Sequence, residues 1–231
     1  MSMRRAVKIF LMLNVFLFLL ASCAYTQTEM VDFVQYADIQ YVRNYENEIE
    51  GSPLTEDDLD REYFVVKRKI SETMNSLGHI SKDSDATNLD VGTQIYTVKG
   101  YDPDFRIAAF YDGDILLYEA HTNKWADRGL ELLDIKDKVE CISVIENKAD
   151  GPERLANIDD ELLVEKMVDM ILEAPIEYKE GNSSREKYYF LGFQLKDGTI
   201  TSRHYDIGEG ILAKAIRLPE EFREIVEKNA K

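Results

Sequence analysis

Cysteine is scarce: Cys23 and Cys141 are the only two in 231 residues. So few exclude a disulfide-dense scaffold and a thiolate-rich metal centre. Histidine is scarce too. His79, His121 and His204 fall on different expected elements, without the i, i+4 spacing that sets two imidazoles on one helix face. Basic charge is deficient. Against 44 Asp and Glu stand 28 Lys and Arg, a net charge of −16. That excludes general affinity for nucleic acid, which needs cations to neutralise phosphates. It also disfavours adsorption to anionic lipid through charge. Long apolar runs are missing with one exception, Ile9–Ala21, thirteen residues broken by Asn14. A helix that spans a bilayer needs about twenty.

Catalytic signatures are equally thin. No serine sits in a glycine-flanked elbow. Asp83–Asn88 begins like a calcium loop, but its sixth and twelfth positions are Asn88 and Gln94, where an EF-hand needs glycine and glutamate. A polar surface loop is expected there. Gly208-Glu209-Gly210 is too short for a nucleotide fingerprint. The 44 acids offer many carboxylate pairs for a hydrolase, and that abundance singles out none. No cofactor or metal signature emerges. Cys141 lies in an apolar run, "VECISVI", and is expected to be a buried, inert thiol.

What is present begins at the N-terminus. Arg4, Arg5 and Lys8 precede the apolar run, and Ala21 and Ser22 follow it, the layout of a secretory signal. The stretch "LLASC" (Leu19–Cys23) resembles the lipobox of bacterial lipoproteins: an aliphatic residue, two small residues, then cysteine. The resemblance implies cleavage between Ser22 and Cys23 and a diacylglycerol on the Cys23 thiol. Two acyl chains on one residue suffice for stable attachment at about 0.8 kcal/mol per buried methylene. Loss of residues 1–22 takes the formal charge from −16 to −19. The expected division is a signal peptide over 1–22, a lipidated tether over 23–53 and an extracytoplasmic domain over 54–231. A joint between two subdomains is possible near 134–138.

Along the chain, Met30, Val34, Ala37, Tyr41 and Tyr45 recur at helical spacing. They predict a short amphipathic helix in the tether. Thr55–Asp58 has capping-box character. Residues 59–77 fit both a helical stripe and a strand, with a strand favoured from about Tyr63, and 78–92 read as a loop. Asp112-Gly113 predicts a two-residue hairpin that sets Tyr111 against Asp114, Phe110 against Ile115, Ile107 against Tyr118 and Arg106 against Glu119. A short amphipathic segment over Trp125–Leu133 and an interior strand over 139–146 follow. Asp150-Gly151-Pro152 reads as a loop, and a helix capped by Asp159 runs to about Glu173, with Val164, Met167, Val168 and Ile171 buried. Asp197-Gly198 predicts a second hairpin that sets Lys196 against Thr199, Leu195 against Ile200, Phe193 against Ser202 and Leu191 against His204. Pro219 opens a last helix docked by Phe222, Ile225 and Val226. The fold class expected is α+β, antiparallel meanders and hairpins with two or three packed helices.

Three segments, "GTQIYTVKGYDPDFRIAAF", "LLDIKDKVECISV" and "YYFLGFQLKDGTI", are similar to uncharacterised lipoproteins of Gram-positive bacteria. That resemblance transfers no catalytic residue. The candidate interaction surface is a set of hairpin tyrosines: Tyr101, Tyr111, Tyr118, Tyr188, Tyr189 and Tyr205. Tyrosine suits interfaces because one end is apolar and the other polar, and the same property suits it to the rim of a core. The expected role is a membrane-anchored, non-catalytic binding or accessory module whose partner is an envelope protein or peptide. The alternatives are a cell-wall or extracellular hydrolase using dispersed carboxylates, and a calcium-dependent adhesion module.

The lipidation expectation is checked by mass spectrometry of the protein from its membrane. The mature chain should begin at Cys23 carrying a diacylglycerol, and Cys23→Ala should leave the leader uncleaved. A bare Cys23 thiol would refute it.

Overall fold

The structure, a computed structural model, describes residues 31–71, 81–178 and 188–230. The expected leader, the Ser22–Cys23 junction, Met30 and His79 lie outside them. From Val31 onward the chain forms one compact unit. Sheet I contains β1 (Phe33–Tyr36), β2 (Ile39–Arg43), β3 (Leu59–Val65), β4 (Arg68–Lys69), β5 (Asp85–Ala86), β6 (Gln94–Val98), β7 (Arg106–Tyr111) and β8 (Asp114–Asn123). Their order is β3-β6-β7-β8-β2-β1-β5-β4. Sheet II contains β9 (Val139–Lys148), β10 (Gly151–Ile158), β11 (Tyr188–Leu195), β12 (Ile200–Asp206), β13 (Ile211–Leu212) and β14 (Ile216–Arg217), in the order β10-β9-β11-β12-β13-β14. The pairing is antiparallel except between β4 and β5. Helices α1 (Tyr45–Glu50), α2 (Glu161–Glu173) and α3 (Glu220–Asn229) complete an α+β architecture dominated by strands.

The expected tether helix is absent over the described residues. Its apolar positions lie instead on a hairpin, where Val34 faces Tyr41 across β1 and β2. A spacing of seven places two residues on one helix face, and it also places them opposite each other across a two-residue turn. That turn is Ala37-Asp38, both at positive φ (51° and 63°). It lacks the Asn-Gly or Asp-Gly chemistry that announces such turns. Val34, Ile39 and Tyr41 are buried, so this segment is part of the core. Tyr45 starts α1 instead and is exposed. In the following stretch a single 3₁₀ turn, Glu56–Asp58, precedes β3. The Asp58 carboxylate accepts hydrogen bonds from the Thr55 amide (2.7 Å) and hydroxyl (2.8 Å).

The two Asp-Gly hairpins differ. At the first, Asp112 and Gly113 both have positive φ (54° and 89°), as a type I′ turn requires. The register has every predicted pair, from Tyr111 with Asp114 to Arg106 with Glu119. At the second, only Gly198 has positive φ (85°). The Asp197 carboxylate accepts the Thr199 amide (2.9 Å) and hydroxyl (2.7 Å). This Asx geometry holds a type I turn with the left-handed glycine after it, a three-residue loop. The register therefore slips by one: Gln194 faces Ile200, Phe193 faces Thr201, Gly192 faces Ser202 and Phe190 faces His204. Every predicted partner across β11 and β12 is corrected by that slip.

Gly151 and Pro152, expected in a loop, instead begin β10, which follows β9 and is hairpinned onto it. Pro152 sits at the start of this edge strand, where its missing N–H interrupts no ladder. Asp160, not Asp159, caps α2 by accepting the Leu163 amide at 2.9 Å. Val164, Met167, Val168 and Ile171 form its buried stripe as expected. Of the amphipathic segment Trp125–Leu133, only a 3₁₀ turn at Gly129–Glu131 forms. A side chain at Gly129 would lie 1.9 Å from the Ile171 carbonyl oxygen of α2. Glycine is therefore needed for that approach. Trp125 is exposed, whereas Leu132 and Leu133 are buried.

One apolar core includes Ile107 and Tyr118 of sheet I, Leu191 and Phe193 of sheet II, Met167 of α2, and Phe222 and Val226 of α3. Through it passes a buried ionic network. Arg106 on β7 donates from Nε (3.1 Å) and Nη2 (2.6 Å) to Glu119 Oε1 on β8, and from Nη1 to Thr199 Oγ1 at 2.9 Å. Glu119 Oε2 accepts Thr201 Oγ1 (2.5 Å) and Arg203 Nη1 (3.1 Å) of β12. Burial alone would raise the Glu119 carboxyl. The charges of Arg106 and Arg203, with hydrogen bonds from Thr201 and Arg106, outweigh burial and hold it below the usual range.

Removal of one member leaves a buried charge uncompensated. Glu119→Ala should cost about 3–5 kcal/mol, and Thr201→Val about 1–3 kcal/mol by removing one of the two donors to Glu119 Oε2. Urea unfolding followed by circular dichroism checks both. A Glu119→Ala cost below about 1 kcal/mol, the scale of an exposed pair, would refute the network's role.

Candidate functional site

Strand alternation gives sheet II two faces. Leu191, Phe193, Thr201 and Tyr205 are buried in the core. The intervening pairs, Phe190 with His204 and Gly192 with Ser202, line the opposite side with Ile145, which faces Phe190 from β9. Helix α1 covers one end of that side. The Asn44 side chain donates to the Ile200 carbonyl (2.7 Å), and the Asn47 side-chain oxygen accepts the Ile200 amide (2.9 Å). Two asparagines thus satisfy backbone groups that no neighbouring strand reaches. Beyond α1 lies a cleft of about 1000 Å³. Sheet II contributes Ile145, Phe190, Ser202 and His204; sheet I contributes Val42, Arg43, Ala120 and His121; α1 contributes Glu46 and Glu50. Pro152, Arg154, Ala213 and Lys214 are also among the lining residues.

Most cleft cations are already paired. Arg43 donates to Glu48 at 2.7 and 3.0 Å. Arg154 meets Glu50 at 2.9 Å. Arg203 meets Glu119 at 3.1 Å and also donates to the Ser202 carbonyl (2.8 Å). Lys214 differs: among the described residues its ammonium makes no ion pair. It projects from a type I′ turn in which Ala213 and Lys214 have φ of 53° and 60°. The two histidines feel this positive wall. Burial, then the Arg203 and Lys214 charges, push His121 down to about 4. Burial and Lys214 lower His204 against the opposing pull of Asp206. Both rings are therefore neutral at pH 7, and each offers one donor and one acceptor nitrogen. Tyr188 packs on His204 with ring centroids 4.7 Å apart.

The inward carboxyls move in opposite directions. Burial pushes Glu46 up; a hydrogen bond from Ser202 opposes it and the charges of Glu50 and Glu119 add to it. Glu119 is held down, and its oxygens are taken by Arg106, Thr201 and Arg203. Cys141 is half-buried rather than buried. Burial and Asp159 push its thiol up, opposite to the shift that makes a nucleophile.

The hairpin tyrosines do not form one surface. Tyr118, Tyr189 and Tyr205 are buried in the core, where the Tyr205 ring meets Phe222 at 5.5 Å. Tyr101 is half-buried over Arg106 and donates to Asp197 at 2.5 Å. Tyr111 donates to Asp90 at 3.1 Å. Tyr188 alone stands beside the cleft. The expected surface loop at Asp83–Asn88 is corrected as well: Ser84, Asp85 and Thr87 are buried, and Asp85 takes two hydrogen bonds from Arg68 (2.9 and 2.5 Å). No group of three or more His, Cys, Asp or Glu among the described residues could hold a metal ion. A Ser-x-x-Lys spacing, not counted among the sequence signatures above, does occur from Ser184 to Lys187 and lies outside the described residues. No described helix is long and apolar enough to cross a membrane.

The cleft's signature in solution is a titration. The unfolded chain carries His121 at its ordinary 6.5, the folded chain at about 4. Between these values the unfolded state binds a proton that the folded state refuses. The stability that neutral His121 contributes above pH 6.5 is therefore lost as pH falls through this window. The loss is at most about 3 kcal/mol, less after screening by solvent. In His121→Gln the fall in urea midpoint over the same pH range should be smaller, and an unchanged slope would refute the assignment.

No protein-family model matches the chain, and neither a curated protein nor a solved structure matches it significantly, so these comparisons assign neither a family nor a function.

Proposed function

We propose that the protein is a lipid-anchored, extracytoplasmic binding module that catalyses nothing and serves an envelope protein or peptide. The anchor rests on the Leu19–Cys23 motif. The observation that carries the binding role is the cleft on sheet II, about 1000 Å³, at the upper end of what ligand pockets occupy. Its lining mixes apolar Val42, Ile145, Pro152, Phe190 and Ala213 with a majority of charged and polar residues, so it offers both contact surface and hydrogen-bonding groups.

Dispersed carboxylates are a weaker reading. A hydrolase of that kind needs two carboxyls free to reach substrate. Here Glu119 is saturated by protein donors, which leaves Glu46 as the inward acid with a raised pKa.

Photo-crosslinking in living cells tests the role. A crosslinking side chain at Asn147, on the cleft rim, should give a discrete adduct with an envelope partner. The same group at exposed Val91, which does not line the cleft, should not. Identical adducts from both positions, or none from Asn147, would overturn the reading.

A further inference from the structure

We propose that the cleft seats the C-terminal carboxylate of an apolar peptide on the Lys214 ammonium, beside the His121 and His204 rings. The inference rests on the reading of the cleft as a binding site and names what enters it. Its first support is charge. Arg43, Arg154 and Arg203 are each spent on a protein carboxylate. Lys214 makes no ion pair among the described residues. Among the described residues, an anion entering the cleft therefore finds one free cation, which shares the lining with two imidazoles that its charge reaches. Their ring N–H groups can donate to the same anion.

The number of free charges selects the anion. One unpaired ammonium matches one carboxylate. A phosphate carries nearly twice that charge at neutral pH. It would also face Glu46 and Glu50 in the cleft and a protein of net charge −16. The floor selects what the carboxylate is attached to. Ala213 precedes Lys214 in its turn, and Phe190 meets the His204 ring at 5.8 Å and faces Ile145 across the strands, so the group beside the carboxylate is apolar. The size of the cleft, about 1000 Å³, accommodates several residues rather than a lone acid.

The turn that carries Lys214 permits a variant that spares the fold. Lys214 occupies the left-handed region at φ 60°, where glycine is at ease and other residues are strained. Lys214→Gly therefore removes the cation while relaxing the backbone, and its Tm should equal or exceed that of the parent.

The test is isothermal titration of the full chain in detergent micelles with N-acetyl-Ala-Leu-Phe, the same peptide as its C-terminal amide, and inorganic phosphate. The free acid should bind, with the amide at least about tenfold weaker, and Lys214→Gly should weaken the acid to a similar degree, the loss expected for one charge-assisted contact. Equal binding of acid and amide, or unchanged binding to Lys214→Gly, would overturn the carboxylate seat and leave the cleft as a binding site. Displacement of the peptide by phosphate at lower concentration would overturn it in favour of a phosphate-bearing ligand. No heat from any probe would also overturn it, while the crosslinking outcome at Asn147 decides the wider reading separately.

Discussion

Glu119 is the point at which the two sheets are tied. A carboxylate taken out of water costs several kcal/mol unless its lone pairs are filled. Its oxygens receive Arg106 from its own sheet and Thr201 and Arg203 from the other. Arg106, fully buried, reaches in turn to Thr199. Apolar contacts between sheets tolerate small slides, because the burial of Phe193 or Ile107 is non-directional. Hydrogen bonds to a buried charge do not. The network therefore fixes how β12 lies on β8, while the apolar core supplies most of the drive to fold.

The position of the cleft follows from that attachment. On β12, Thr201 and Arg203 reach toward Glu119, and the alternating residues Ser202 and His204 line the cleft. On β8, Glu119 is followed by Ala120 and His121, which join the same lining. The residues that hold the sheets together and those that form the cavity thus lie side by side on the same strands. Glu119 and Arg203 belong to both sets, since both line the cleft and pair with each other, and Arg203 also helps depress His121. A slip of β12 by one residue would exchange the two sets and bury His204 in the core.

Much of the strand pattern was legible in the sequence, and its limits have physical causes. Asp112-Gly113 announces a type I′ turn, and nothing nearby competes with it, so the Arg106–Glu119 pair could be foreseen. Asp197-Gly198 carries the same two letters. There the carboxylate is drawn to Thr199 and to Tyr101, and the second contact spans 96 residues of sequence. No local rule contains it. Ala37-Asp38 and Ala213-Lys214 turn at positive φ without the residues that signal such turns. One was hidden behind a false helical period, and the other left Lys214 unnoticed. Tyrosine was a poor guide to the site because half of the set fills the core. The cleft residues come from distant segments, and only the fold gathers them.

The two unsignalled turns also separate structure from function. Both place a non-glycine pair in the left-handed region, at a cost of order 1–3 kcal/mol per residue. In the first, the charged residue is used by the fold, since Asp38 pairs with Lys124 at 2.6 Å. In the second, Lys214 forms no such pair among the described residues, and its charge acts on two half-buried rings that it helps to keep neutral. Lys214 is exposed, so its ammonium is solvated, and the neutral imidazoles near it add no attraction. An anion in the cleft would attract it and would ease protonation of both histidines at the same time. Backbone hydrogen bonds from Ala213 to His204 (2.8 Å) and from Ala215 to Leu212 (3.1 Å) hold the turn itself, and a bound carboxylate would give the Lys214 charge a partner.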